Sequence, residues 1–261
     1  MTVRNIRFRQ SVIRTVLGLA AVSGLAMQPV ESAFAKVVEV SMTAVETKLV
    51  IDGEGHTYDA WTFNGQFPGP VIRVQEGDEV VFSLTNPETN GRPHSMDFHA
   101  AETNFLEHYK EVRPGESLQY RFKAKWPGIF AYHCGASPMI QHIARGMMGA
   151  IIVDPKDPKA LPKADREYVL VQSELFKDPD DVDGMFDRKY QHVVFNGSVF
   201  RYDPVHSKAG GDFLDAKPGE RVRFYFVNAG PNNVSAVHPI AEIWDDVWES
   251  GNPANHTRGV Q

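Results

Sequence analysis

The run Tyr132-His133-Cys134, with His142 and Met147 close behind, gathers a thiol, imidazoles and a thioether into one short stretch. These are soft donors, and the grouping suits copper: two imidazoles and a thiolate in a trigonal plane, with a weak axial thioether. Cys134, His142 and Met147 can come from one strand-loop-strand corner. The remaining imidazole must arrive from elsewhere in the fold, and His94 is the expected supplier. Met148 could replace Met147, because spacing does not separate the two. Taken singly, His142 or Met147 would read as ordinary packing; the ordered set reads as a metal site. Cys134 is the only cysteine of the chain, so it has no disulfide partner within it, and a metal-bound thiolate accounts for it.

Two further histidines stand beside this set. His133 directly precedes Cys134, and His99 follows His94 by five residues. Successive side chains on a strand point to opposite faces, so odd separations send the members of each pair opposite ways. One member of each pair then faces the first site, while His99 and His133 together could hold a second copper behind it. The His133–Cys134 peptide would join the two. Asp97, between His94 and His99, is placed to act as an acid.

Two other chemistries use related residues. An oxygen-reducing two-domain multicopper oxidase needs His-x-His pairs and a histidine on both sides of the cysteine, but no His-x-His occurs and Gly135 follows Cys134. An electron carrier would use the first site alone and would have no need of Asp97, His99 or His238.

The elements that must position these residues are strands. Past residue 35, helical periodicity gives way to short β-branched and aromatic runs broken by Gly, Pro and Asn: Val71-Ile72-Arg73-Val74, Glu79 to Leu84, Leu118 to Phe122, Ile129 to His133 and Gly149 to Val153. Such spacing predicts an all-β sandwich or barrel. The pattern also repeats. Phe63-Asn64-Gly65 returns as Phe195-Asn196-Gly197, and the turn and strand from Glu76 to Phe82 are echoed from Lys217 to Phe224. Each echo is followed by a histidine, His94 and then His238. Two related domains are expected, 36–155 and 156–261, joined through the Pro- and Lys-rich segment Asp154 to Lys163. The second copy lacks counterparts of the Leu118–Phe122 and Ile129–His133 strands. A sandwich without its last strands exposes a sheet edge, so the chain is expected to be a fragment or a truncated product.

The first residues read as an address. Arg4, Arg7, Arg9 and Arg14 precede an apolar stretch from Thr15 to Met27, too short to span a bilayer, and Ala33-Phe34-Ala35 offers a small-x-small cleavage pattern. Residues 1–35 are expected to be a cleaved signal peptide, which makes the mature protein periplasmic or extracellular. Removing four Arg and one Glu takes the net charge from −6 to −9. An acidic chain without a Lys/Arg cluster is a poor nucleic-acid binder. With 42% apolar and 23% charged residues, it has the balance of a soluble globular protein.

The stretches from His94 to Ala101 and from Tyr132 to Gly149 resemble copper-containing nitrite reductases, notably the branch with a shortened Cys-to-His loop. The likeness continues through Phe195-Asn196-Gly197-Ser198 and Asn228 to Asp245. It implies two tandem cupredoxin-like Greek-key β-sandwich domains, the second incomplete here. It implies type 1 copper on His94, Cys134, His142 and Met147, and type 2 copper on His99 and His133. Asp97 and His238 would be the proton-handling pair. The implied reaction turns nitrite, two protons and one electron into nitric oxide and water, the electron entering at type 1 copper from a small cupredoxin or cytochrome c and passing to type 2 copper. The family is homotrimeric, with a third type 2 histidine supplied late in a neighbour's second domain. This sequence ends before that part, and His256 is too early to match it. It also departs from the family over Glu102 to Glu111, a charged segment where many members have a Gly-rich loop. His56, His108, His192 and His206 match no motif and are expected to be solvated or structural.

Overall fold

A computed structural model describes residues 35–203, 205–206 and 212–261. All but the last residue of the expected leader lies outside the described residues. From Phe34 onward the chain forms one compact unit.

Two four-stranded sheets face each other in its first half. One has the order β2-β1-β4-β6, built from β1 (Val37–Val50), β2 (Thr57–Phe63), β4 (Glu79–Thr85) and β6 (Ser117–Lys123). The other runs β3-β8-β7-β5, from β3 (Ile72–Gln75), β8 (Met148–Asp154), β7 (Gly128–His133) and β5 (Asp97–Phe98). Alternation makes the first sheet one-sided: Val80, Phe82 and Leu84 of β4 turn inward with Tyr120 and Phe122 of β6. They meet Phe98, Tyr132, Ile151 and Val153 from the second sheet. Each such side chain contributes roughly 1.5–3 kcal/mol when fully buried.

The second sheet is covered on both faces. Ile129, Met148, Ala150 and Ile152 point away from the first core and pack on Val171, Tyr225 and Val227. That is why Gly149 to Val153 reads as a continuous apolar run rather than an alternating one. Tyr132 sits at the centre of the first core, fully buried, and its hydroxyl donates to Pro70 O at 2.6 Å.

The later half contains β9 (Arg166–Phe176), β10 (Tyr190–Phe195) and β11 (Val222–Asn228) in the order β10-β9-β11, then the hairpin β12 (Trp244–Trp248) and β13 (His256–Val260). The internal echo is structural. In each half a first strand pairs antiparallel with the next (β1 with β2, β9 with β10) and parallel with a later one (β1 with β4, β9 with β11). Asn64 and Asn196 both adopt positive φ, 58° and 50°. Each uses its side-chain oxygen to accept from the first strand, Asn64 from Thr43 N at 2.7 Å and Asn196 from Val171 N at 2.9 Å. Asparagine tolerates that left-handed turn, which explains its recurrence in the sequence.

Among the described residues three short α-helices interrupt the strands: α1 (Phe105–His108), α2 (Met139–Ala144) and α3 (Val182–Phe186). Among the described residues no helix is long and apolar enough to cross a membrane.

Candidate metal centres

Cys134 directly follows the last residue of β7, Met147 directly precedes the first of β8, and α2 between them delivers His142. Cys134 N donates to Met147 O at 2.9 Å, holding the corner closed. α2 buries Gln141, His142, Ile143 and Ala144 while leaving Met139 outside. It is tied down by Gln141 Nε2 to Pro179 O (3.0 Å) and by Arg145, which bonds Asp180 at 2.5 Å and Asp59 O at 3.0 Å. His94 comes from a different part of the chain, fixed by paired backbone bonds with Val112.

These donors converge. His142 Nδ1 lies 3.2 Å from Cys134 Sγ and 3.3 Å from His94 Nδ1, and all three residues are buried. Met147 packs in the same core cluster as Cys134, whereas Met148 faces the other way into the second core. The alternative axial donor left open by spacing is therefore on the wrong side of the sheet. Two imidazole nitrogens, a sulfur and a neighbouring thioether fit a copper ion by donor type. The backbone agrees, since Ser95 N donates to Cys134 Sγ at 3.2 Å, a contact that favours a thiolate.

Burial sets the protonation of the metal-free cluster. It pushes the Cys134 thiol up to about 11. It pulls His142 down to about 3, helped by the charges of His94, Arg92 and Arg145, and it lowers His94 as well. Neutral imidazoles are ready to coordinate; the thiol must release its proton to do so. Trp61 roofs the cluster, its ring 4.7 Å from that of His142 and 5.8 Å from that of His94, with the Arg145 guanidinium 4.5 Å above it.

A second cluster lies behind the first. His99 Nε2 is 3.0 Å from His133 Nε2, and Asp97 Oδ2 is 3.5 Å from both. Asp97 stands directly opposite His133 in the β5–β7 register. His133 Nδ1 donates to Cys134 O at 3.0 Å, which leaves Nε2 as the coordinating atom. Burial lowers the His133 pKa, and the charge of His99 adds to that. His99 is half exposed and His133 largely covered.

His238 is not bonded to this cluster; its Nδ1 contacts Pro239 O at 3.2 Å. It does line the same cavity of about 920 Å³ as His99. His256 bonds Asp246 at 2.8 Å and stacks on Trp248, away from both clusters. His108 stacks on Tyr120 and His206 bonds Asp203. A third grouping, Asp52, Glu54 and His56, sits in the β1–β2 turn. Glu46, Trp61 and Ser95 touch the first cluster, and Arg145 reaches it through Trp61, without sequence reasoning having given any of them a role. Ser95 and Arg145 had a signal in their places inside the His94–Ala101 and Tyr132–Gly149 stretches.

The strand order and the buried Cys-His corner define a cupredoxin. A multicopper oxidase family model matches residues 44–158. The copper-containing nitrite reductase of Neisseria gonorrhoeae is 40% identical over 230 residues, covering 82% of this chain and 55% of that protein. The one from Alcaligenes xylosoxydans xylosoxydans is 36% identical over 246 residues, covering 84% and 72%. The solved copper nitrite reductase of Nitrosomonas europaea superposes with a TM-score of 0.85 at 58% identity, covering 86% of this chain and 79% of that one. The chain belongs to the copper-containing nitrite reductase family. It spans about half the length of the Neisseria relatives it matches.

Proposed function

We propose that this chain takes part in the copper-dependent reduction of nitrite to nitric oxide. The observation that carries the reading is the back-to-back placement of two donor clusters on adjacent residues of one strand end, His133 and Cys134. His94, Cys134, His142 and Met147 would hold one copper, and His99 and His133 the other. Copper supplies one-electron redox chemistry at the first site and, at the second, Lewis acidity toward an oxyanion as well.

The chain's own groups then have distinct tasks. Trp61 and the surrounding core keep water from the first cluster. The peptide between Cys134 and His133 is the covalent connection between the two ligand sets. Asp97 Oδ2 faces both Nε2 atoms of the second cluster from 3.5 Å, within reach of a water or a nitrite oxygen, where it can hold and release a proton. His238, which lines the same cavity as His99, is the second proton carrier, since an imidazole can both take up and give a proton. The domain division at 155/156, export to the periplasm, a small cupredoxin or cytochrome c as donor, and a homotrimer belong to the same reading. The likeness to the family supports them.

The test is anaerobic nitrite turnover by copper-loaded protein with a chemical reductant, with nitric oxide measured directly. Nitric oxide production dependent on the visible thiolate–copper band is expected. Colour without turnover would favour an electron carrier using the first site alone, the reading in which His99, His133 and Asp97 have no task.

A further inference from the structure

Glu46 lies in the middle of β1, opposite Trp61 of β2 in the strand register. Nothing in its sequence context links it to a metal, yet its carboxylate reaches into the first cluster. Oε1 accepts from Arg92 N at 2.9 Å, from Gly91 N at 3.1 Å and from His94 Nε2 at 3.2 Å. Two backbone amides fix where the carboxylate sits, and the fixed carboxylate in turn fixes the imidazole. His94 is fully buried, while the Glu46 side chain keeps about a quarter of its surface in solvent.

The contact decides which nitrogen of His94 is free. With Nε2–H donated to Glu46, Nδ1 carries the lone pair, and Nδ1 is the atom that faces His142 Nδ1 at 3.3 Å. A histidine ligand oriented by a carboxylate on its other nitrogen is also a stronger donor. The arrangement is one-sided. Among the described residues no carboxylate bonds His142, Cys134 or Met147; of the other charged groups near the cluster, Arg92 and Arg145 are cations, and the carboxylate of Glu111, felt by Cys134, accepts from Ser137 N and bonds no ligand. Glu46 is thus the anion that acts on the site through a ligand.

We propose that Glu46 is a positioning residue for the first donor set. Its carboxylate holds the His94 ring with Nδ1 toward Cys134 and His142, and its negative charge favours the oxidised state of the Cu(II)/Cu(I) couple held there. This rests on the reading of His94, Cys134, His142 and Met147 as a copper site.

The experiment compares wild type, Glu46→Gln and Glu46→Ala after loading with Cu(II), by visible absorption, chelator competition and potentiometric titration. The Gln side chain keeps an acceptor oxygen but loses the charge. It should retain the band at wild-type intensity, with a midpoint potential clearly more positive. The Ala variant releases the ring and should hold copper about ten- to a hundredfold more weakly, with an altered paramagnetic spectrum. An unchanged potential in Glu46→Gln overturns the charge effect. An unchanged copper affinity and spectrum in Glu46→Ala, with only thermal stability lowered, reduces Glu46 to a loop tether and overturns the positioning role. A wild type without any thiolate–copper band would instead sink the copper reading beneath it.

Discussion

His133 and Cys134 share a peptide bond and serve opposite sides of one sheet. His133 Nε2 lies 3.0 Å from His99 Nε2, while Cys134 Sγ lies 3.2 Å from His142 Nδ1. The alternation at the end of β7 sets this separation, and the bond from Cys134 N to Met147 O holds it just past the strand. Any shift of β7 against β5 or β8 by one residue would exchange the two side chains and destroy both clusters at once. Register here is therefore a functional property as well as a structural one.

Replacing the sulfur separates the sites. Cys134→Ser keeps the shape of the buried corner but offers a poor copper ligand. The variant should lose the intense visible band and about one equivalent of bound copper per chain, while His99 and His133 keep theirs. Its metal-free fold should lose only about 1 kcal/mol, because a buried hydroxyl in place of the thiol can still accept from Ser95 N. Copper quantitation and denaturant unfolding check both halves. Loss of copper from both sites together would show that the two clusters do not form independently.

Asp97 and His238 are predicted to act on turnover without touching colour. Asp97→Asn removes the carboxylate 3.5 Å from both Nε2 atoms of the second cluster, on the far side of β7 from Cys134. Nitrite turnover should fall about a hundredfold or more, the usual scale for a positioned proton donor, with the visible band unchanged. His238→Asn should behave likewise. Wild-type turnover in either variant removes that residue from proton handling.

Much of this site is legible in the residues. His94, His99, His133, Cys134, His142 and Met147 are local in sequence or set by strand alternation, so spacing brings them into two groups. Asparagine at the two positive-φ turns makes the repeat visible. Glu46 and Trp61 could not be read the same way. They approach the first cluster through pairing between β1 and β2 and through tertiary packing, and a Glu on an edge-facing strand position has the sequence signature of any solvated carboxylate. The choice of Met147 over Met148 likewise needed the two cores, since both methionines are apolar and adjacent. His238 shares a cavity with His99 but no bond, which the repeat could not foretell.

Acid sensitivity should pass through Glu167. It bonds Arg73 of β3 at 2.5 Å and Arg223 of β11 at 2.7 Å, tying the halves together. Burial works to raise its pKa, but the bonds and charges of Arg73 and Arg223 outweigh that and leave it lowered. A lowered carboxylate contributes stability above its unfolded value, about 4.5, and loses it as pH falls through the folded value. Glu167→Gln should cost about 0.5–1 kcal/mol at neutral pH, a screened, partly exposed network. The gap from wild type should shrink as pH drops below about 4.5. Urea midpoints near pH 7 and near pH 4 measure it, and a constant gap would mean that the charge contributes nothing.

The tightest constraint on the metal corner is steric. Gly149 stands opposite Tyr132 in the β7–β8 pairing, beside the residues that carry Cys134 and Met147. A Cβ at Gly149 would come within 2.3 Å of the Tyr132 ring carbon Cζ and its hydroxyl, and one at Gly69 within 2.6 Å of the same hydroxyl. The ring has no room to retreat, because its hydroxyl is bonded to Pro70 O and its other face fills the core. Gly149→Ala should therefore destabilise by about 2–3 kcal/mol, the cost of overpacking a closed core. Tyr132→Phe in the same chain removes the hydroxyl half of the clash and should recover part of that loss, although on its own it costs about 1 kcal/mol for the missing hydrogen bond. Thermal unfolding of the two single variants and the double variant gives the coupling directly. Purely additive effects would show that the sheet moves apart to admit the methyl group, and the copper band of Gly149→Ala should then shift, since Cys134 and Met147 adjoin the ends of those two strands.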